Sequence, residues 1–117
     1  MNELNKIRNF YAADIIKIPY FIDTKSPSHR NIWRALQSIT RILSKLIDKH
    51  ILTDKQILEH KENVDYFMFH IFESEGITDV LEVELSWYII SLIETYELKA
   101  LDLELYEVCE NLKRYKN

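Results

Sequence analysis

One glycine, two prolines and one cysteine occur in 117 residues, and each scarcity excludes something. With so few turn-forming residues, long helices are expected and many short strands are not. A lone cysteine, Cys109, cannot close an internal disulfide, and no Cys-x-x-Cys or Cys/His cluster is present to hold zinc. A single glycine cannot build a phosphate-cradling loop, and no serine sits in a Gly-x-Ser-x-Gly elbow. The longest apolar-looking run, Leu85 to Ile93, falls far short of the roughly 20 residues that a membrane helix requires. Met1 to Phe10 carries Glu3, Lys6 and Arg8 with no apolar core, so no secretory signal is expected. Together these absences predict a cytoplasmic protein with no membrane contact.

What the sequence does contain is a lopsided charge distribution. Between Glu73 and Glu110 there are eleven acidic residues against one lysine, Lys99, a formal charge of −10. Residues 1 to 58 carry ten Lys or Arg against five Asp or Glu, a formal +5. The net charge of −4 therefore hides a dipolar molecule, whose field acts on partners and encounter rates more than on fold. Apolar residues make up 47% of the chain, enough to fill one core, and residues 1–117 read as a single domain.

The periodicity predicts an all-α fold, a single compact bundle of five or six helices. Leu4, Ile7, Tyr11, Ile15 and Ile18 place a first helix over 2–18, stopped by Pro19. Ser26 followed by Pro27 is a helix start, because serine caps and proline loses nothing at the first turn. That second helix is expected to reach His50 and to bury Ile32, Trp33, Leu36, Ile39, Leu43, Leu46 and Ile47. Thr53 with Gln56 reads as a capping box for a third stretch closed by Gly76, with a break near Asn63. Its aromatic segment, residues 64–72, is read as helix, with a strand as the competing reading. Asp79 and Glu82 start a helix over 79–95 whose apolar residues fall almost all the way round. Such a pattern belongs to a helix enclosed by others, and this one is expected at the centre of the bundle. A last helix over 98–115 would turn Leu98, Leu101, Leu105, Val108 and Leu112 inward, after a break between Thr95 and Ala100.

No catalytic constellation appears, so no enzyme activity, cofactor or small-molecule substrate is expected. His60 and His70 lie near Glu62, Asp65 and Glu73, yet neither Glu-x-x-His nor His-Glu-x-x-His occurs, and no metal site is predicted. No Arg-x4-His pair is present; Lys45 with His50 is the nearest approach. Cys109 falls on the apolar side of the last helix, where an inert thiol is expected.

Two charged surfaces remain. Arg30, Arg34, Arg41, Lys45 and Lys49 form a basic stripe on the second helix, opposite Leu36, Ile39 and Leu43. It reads first as a solvated face, then as a partner for the acidic half, then as a nucleic-acid contact. The pI of about 5.5 weighs against the last. In the acidic half, Asp79 and Glu82 offset a helix N-terminus, and Glu110 is placed to pair with Arg114. Glu73, Glu75, Glu94 and Glu97 are placed at helix C-termini, where each acid costs roughly a few tenths of a kcal/mol or more. Glu84, Ser91 and Thr95 form a narrow polar edge on the helix over 79–95. A cationic partner is the simplest use for acids in such places. The expected contact residues are Tyr66, Glu73, Glu75, Glu84, Glu94, Tyr96, Glu97 and Glu104, with Tyr66 and Tyr96 as aromatic anchors.

In size, single-domain organisation, low glycine content and acidic C-terminal half, the chain resembles the small helical immunity proteins of bacterial toxin–immunity pairs. The contact-dependent growth-inhibition and bacteriocin systems supply such proteins. The resemblance implies a cytoplasmic inhibitor that covers the substrate cleft of a cognate basic toxin domain, often a nuclease, with an acidic face imitating phosphates. Two other readings use the same surfaces: a phage-encoded mimic of DNA, and a small regulator that meets nucleic acid through the basic stripe.

Overall fold

In a computed structural model the structure describes residues 3–7, 17–76 and 79–117, without the Glu75 side chain. Residues 3–7 are helical and bury Ile7; residues 8–16 of the expected first helix lie outside the described residues. Its expected end is not helical, since Lys17 lies in a bend and Ile18, exposed before Pro19, belongs to no helix. Four longer helices follow: α1 (Pro27–Ser44), α2 (Asp54–Glu75), α3 (Asp79–Asp102) and α4 (Tyr106–Lys116). No strand occurs among the described residues, and the all-α bundle expected from the turn-poor composition is what forms.

The helix starts are written locally. Ser26 Oγ accepts the His29 N–H at 3.4 Å with Pro27 behind it. Thr53 and Gln56 close a reciprocal capping box, Thr53 Oγ1 accepting the Gln56 N–H and Gln56 Oε1 accepting the Thr53 N–H. Gly76 ends α2 in the left-handed region at φ 59°. Between those caps α2 runs unbroken through Asn63, and residues 64–72 are helical. It buries Ile57, Val64 and Ile71, seven residues apart, on one face.

Three ends of the longer helices also differ from the sequence expectation. α1 stops at Ser44 and not near His50; Leu46 and Ile47 are fully buried all the same, from the turn that follows. α3 runs seven residues beyond Thr95, through the region where a break was expected. The break comes at residues 103–105, where the Leu105 N–H reaches Ala100 O at 2.8 Å and the Glu104 N–H reaches Leu101 O at 3.0 Å. This pair of bonds is the Schellman closure, with Glu104 at φ 58° in the place glycine normally takes.

Helix α1 packs on α2, α3 on α4, and α2 on α4 ties the two pairs together. The core is mostly aliphatic, with Leu36, Ile39 and Leu43 from α1, Leu85 and Ile93 from α3, Val108 and Leu112 from α4, and the Tyr96 ring of α3 among them. One buried polar residue links the pairs. Asn111 Oδ1 accepts the Leu52 N–H at 2.8 Å, and its Nδ2 donates to Leu46 O at 3.2 Å and His50 O at 3.0 Å. The turn after α1 thereby finds partners for its backbone on α4, as buried peptide groups require. Arg114 adds a donor to Leu52 O and an ion pair with Asp54, so the expected Glu110–Arg114 pair does not form.

Candidate protein-binding site

The all-round apolar pattern of α3 has a different meaning from full enclosure. One side, Leu85, Ile89, Leu92, Ile93, Tyr96 and Ala100, lies in the core as a helix in the bundle requires. The other side is open. Val80 (74% exposed), Val83, Trp87 (65%), Ile90, Leu98 (68%) and Leu101 all face outward. Leu98 and Leu101 were expected to point into the core; they do not, because they belong to α3 and not to the last helix.

These outward residues follow a regular order. Val80, Val83, Trp87, Ile90, Glu94, Leu98 and Leu101 are spaced 3, 4, 3, 4, 4 and 3, which sets them on one stripe of a helix. At 1.5 Å per residue the stripe is about 32 Å long. Trp87 stands at the meeting of two shallow depressions. One, of about 380 Å³, is lined by Asp79, Glu82, Val83, Ser86, Trp87 and Ile90. The other, of about 280 Å³, is formed with Tyr20, Phe21 and Tyr88. Further along, Glu94, Glu97, Leu98, Leu101 and Lys116 border a third. Contiguous exposed apolar surface of this length is the kind that marks interaction sites on proteins.

The sequence-selected residues fare unequally. Glu94 is exposed in the middle of the stripe. Glu84 lies beside it, half-buried, and accepts a 2.6 Å hydrogen bond from the Tyr20 hydroxyl. That bond also pushes the Tyr20 phenol up from its ordinary pKa. Glu97 holds Lys116 at 2.7 Å, which raises the lysine's pKa. Neither Glu94 nor Glu97 ends a helix, since α3 continues to Asp102; the dipole argument for those two fails. It stands for Glu73, exposed in the last turn of α2. Tyr96 is fully buried and cannot anchor a partner. Tyr66 is exposed on α2, its ring 4.3 Å from that of His70. Glu104 is exposed in the turn between α3 and α4, and the Glu75 side chain lies outside the described residues. Glu84, Glu94 and Glu97 thus gather on α3, whereas Tyr66 and Glu73 sit on α2.

Val80, Val83, Trp87 and Ile90 were missed as surface residues because a helix apolar on both sides gives no contrast between core and interface. Their 3-4-3 spacing, separate from that of Leu85, Leu92 and Ile93, was the available signal.

Other parts of the molecule offer less chemistry. A depression of about 640 Å³ lies between residues 51–54 and α4, where the cation that lines it, Arg114, is held by Asp54 and Leu52. Burial, and then Glu97, push the Cys109 thiol up, which keeps it protonated and a poor nucleophile. No group of three His, Cys, Asp or Glu gathers to hold a metal ion among the described residues, and no helix there is long and apolar enough to cross a membrane. No protein-family model matches the sequence, and no curated protein or solved structure matches it either.

Proposed function

We propose that this chain is an immunity protein that binds and neutralises a cognate basic toxin domain, acting in the cytoplasm of the producing cell. The observation that supports it is the open stripe on α3, apolar along its line except at Glu94 and bordered by Asp79, Glu82 and Glu84. Exposed tryptophan and isoleucine supply contact area that a partner can desolvate, and aromatic anchors of this kind carry much of the energy in protein interfaces. The acids around them attract a cationic surface and speed its approach, toward roughly 10⁸ M⁻¹s⁻¹ or more at low salt. Stoichiometric covering of a basic cleft needs no catalytic group of the inhibitor's own. The same face serves equally for a phage-encoded mimic of DNA, and the identity of the basic partner separates the two.

The test is rescue. Expression of a basic toxin domain encoded beside this gene should kill cells, and co-expression of this chain should restore growth. Trp87→Glu combined with Glu94→Lys should abolish rescue while leaving the helical circular dichroism unchanged. Full rescue by that variant would remove α3 from the proposal.

One observation favours a second reading. Helix α1 contains no Asp or Glu, and Arg30, Arg34 and Arg41 are all exposed on it. Contact with nucleic acid through that stripe predicts that Arg34→Glu with Arg41→Glu abolishes function while the α3 variant does nothing.

A further inference from the structure

The shape of the open α3 stripe specifies its occupant more closely than charge alone. We propose that the partner lays one amphipathic, basic helix along α3, with a Lys or Arg of that helix seated on Glu94. This rests on reading α3 as the docking face, and does not depend on the partner being a toxin.

Three observations carry it. The first is spacing: steps of three and four over about 32 Å are what a second helix packs against, whereas a strand or loop would call for no such register. The second is relief. Trp87 rises between the two depressions, so an approaching helix has a ridge to straddle and hollows on both sides for its own side chains. The third is Glu94. It is the one charged residue on the Val80–Leu101 line, and Lys116 at the edge of the same depression bonds Glu97 at 2.7 Å and acts on Glu94 only through its charge. A carboxylate inside an apolar seam is costly to cover unless a cation meets it there, so it selects both the sign and the register of the partner.

The same charges disfavour a second copy of this chain as occupant. A parallel pair would set Glu94 on Glu94. An antiparallel pair aligned over the stripe would set Trp87 on Glu94 and Asp79 on Asp102. An anionic membrane is repelled for the same reason.

The test uses the full chain and a displayed library of 24-residue peptides built on a helical scaffold, randomised at the positions facing α3. Enriched peptides should carry apolar residues at steps of three and four, net positive charge, and a Lys or Arg at one fixed position near the middle. Binding should fall by at least about 30-fold on Trp87→Glu and on Glu94→Lys. Exchanging that cation for Glu in the peptide should restore binding to Glu94→Lys. No enrichment, enrichment without helical spacing, or equal binding to the Trp87→Glu protein would each overturn the proposal. Self-association of the wild type, removed by Trp87→Glu in sedimentation, would overturn it in favour of a second copy. Failure of toxin neutralisation with helix binding intact would remove the immunity reading alone; neutralisation unaffected by Trp87→Glu would remove the helix alone.

Discussion

Tyr20 and Glu84, sixty-four positions apart in the chain, share a 2.6 Å hydrogen bond across the edge of α3. Tyr20 also meets Phe21 edge-on at 5.6 Å, and Phe21 meets Tyr88 of α3 at 6.0 Å. The connection before α1 is thus strapped beside Trp87, and it forms one wall of the depression there. Tyr20→Phe should leave the fold intact and loosen the strap. Amide exchange over 20–23 should quicken, with exchange in α1 and α4 unchanged; identical exchange over 20–23 would show that the bond contributes nothing.

Asn111 is the polar joint between the two helix pairs, and all its side-chain bonds go to the backbone of 46–52. Asn111→Ala leaves two carbonyls and one N–H without that partner, which should lower stability by about 2–4 kcal/mol in urea or thermal unfolding. Asn111→Asp should also destabilise, since a carboxylate would face Leu46 O and His50 O. A loss below about 0.5 kcal/mol for both variants would contradict the joint.

Glu104 occupies a left-handed position that a side chain makes expensive. Glu104→Gly should raise stability by about 1 kcal/mol, because glycine adopts that conformation without the clash. Gly76→Ala should lower it by about 1 kcal/mol through conformation alone, since nothing lies within 4 Å of the added carbon. A stabilised Glu104→Gly protein that binds its partner more weakly would show that the carboxylate there is used for contact.

Tyr115 is pushed up to about 12, first by burial and then by Asp65. Its folded pKa lies above the unfolded value of 10.0, so its contribution to stability is complete below pH 10 and disappears as pH rises through about 12. Absorbance at 295 nm should show late-titrating phenol, diminished by one tyrosine in Tyr115→Phe. An undiminished late component in that variant would contradict the assignment.

The sequence was most informative where the determinants are local. Ser26–Pro27, Thr53–Gln56 and Gly76 marked helix ends correctly because a cap needs only its immediate neighbours. The α3–α4 turn was illegible because Glu104 carries no signal for a left-handed backbone. That one misplaced boundary moved Leu98 and Leu101 into the wrong helix and gave Glu94 and Glu97 a dipole argument they do not satisfy. Tyr96 and Trp87 were both aromatic positions in an apolar stretch; only packing against α4 and the core decides which is buried. The charge asymmetry was fully legible, since it is a property of composition, but which acids border an apolar stripe depends on the tertiary fold.

The central claim is that a cationic protein partner docks on the open face of α3. It is tested most directly by isothermal titration of the basic partner domain into wild type, Trp87→Glu/Glu94→Lys, and Arg34→Glu/Arg41→Glu proteins. The account predicts one-to-one binding that weakens by at least about 100-fold in the α3 variant and changes by less than about threefold in the α1 variant. Undiminished binding by the α3 variant, with loss confined to the α1 variant, would contradict it.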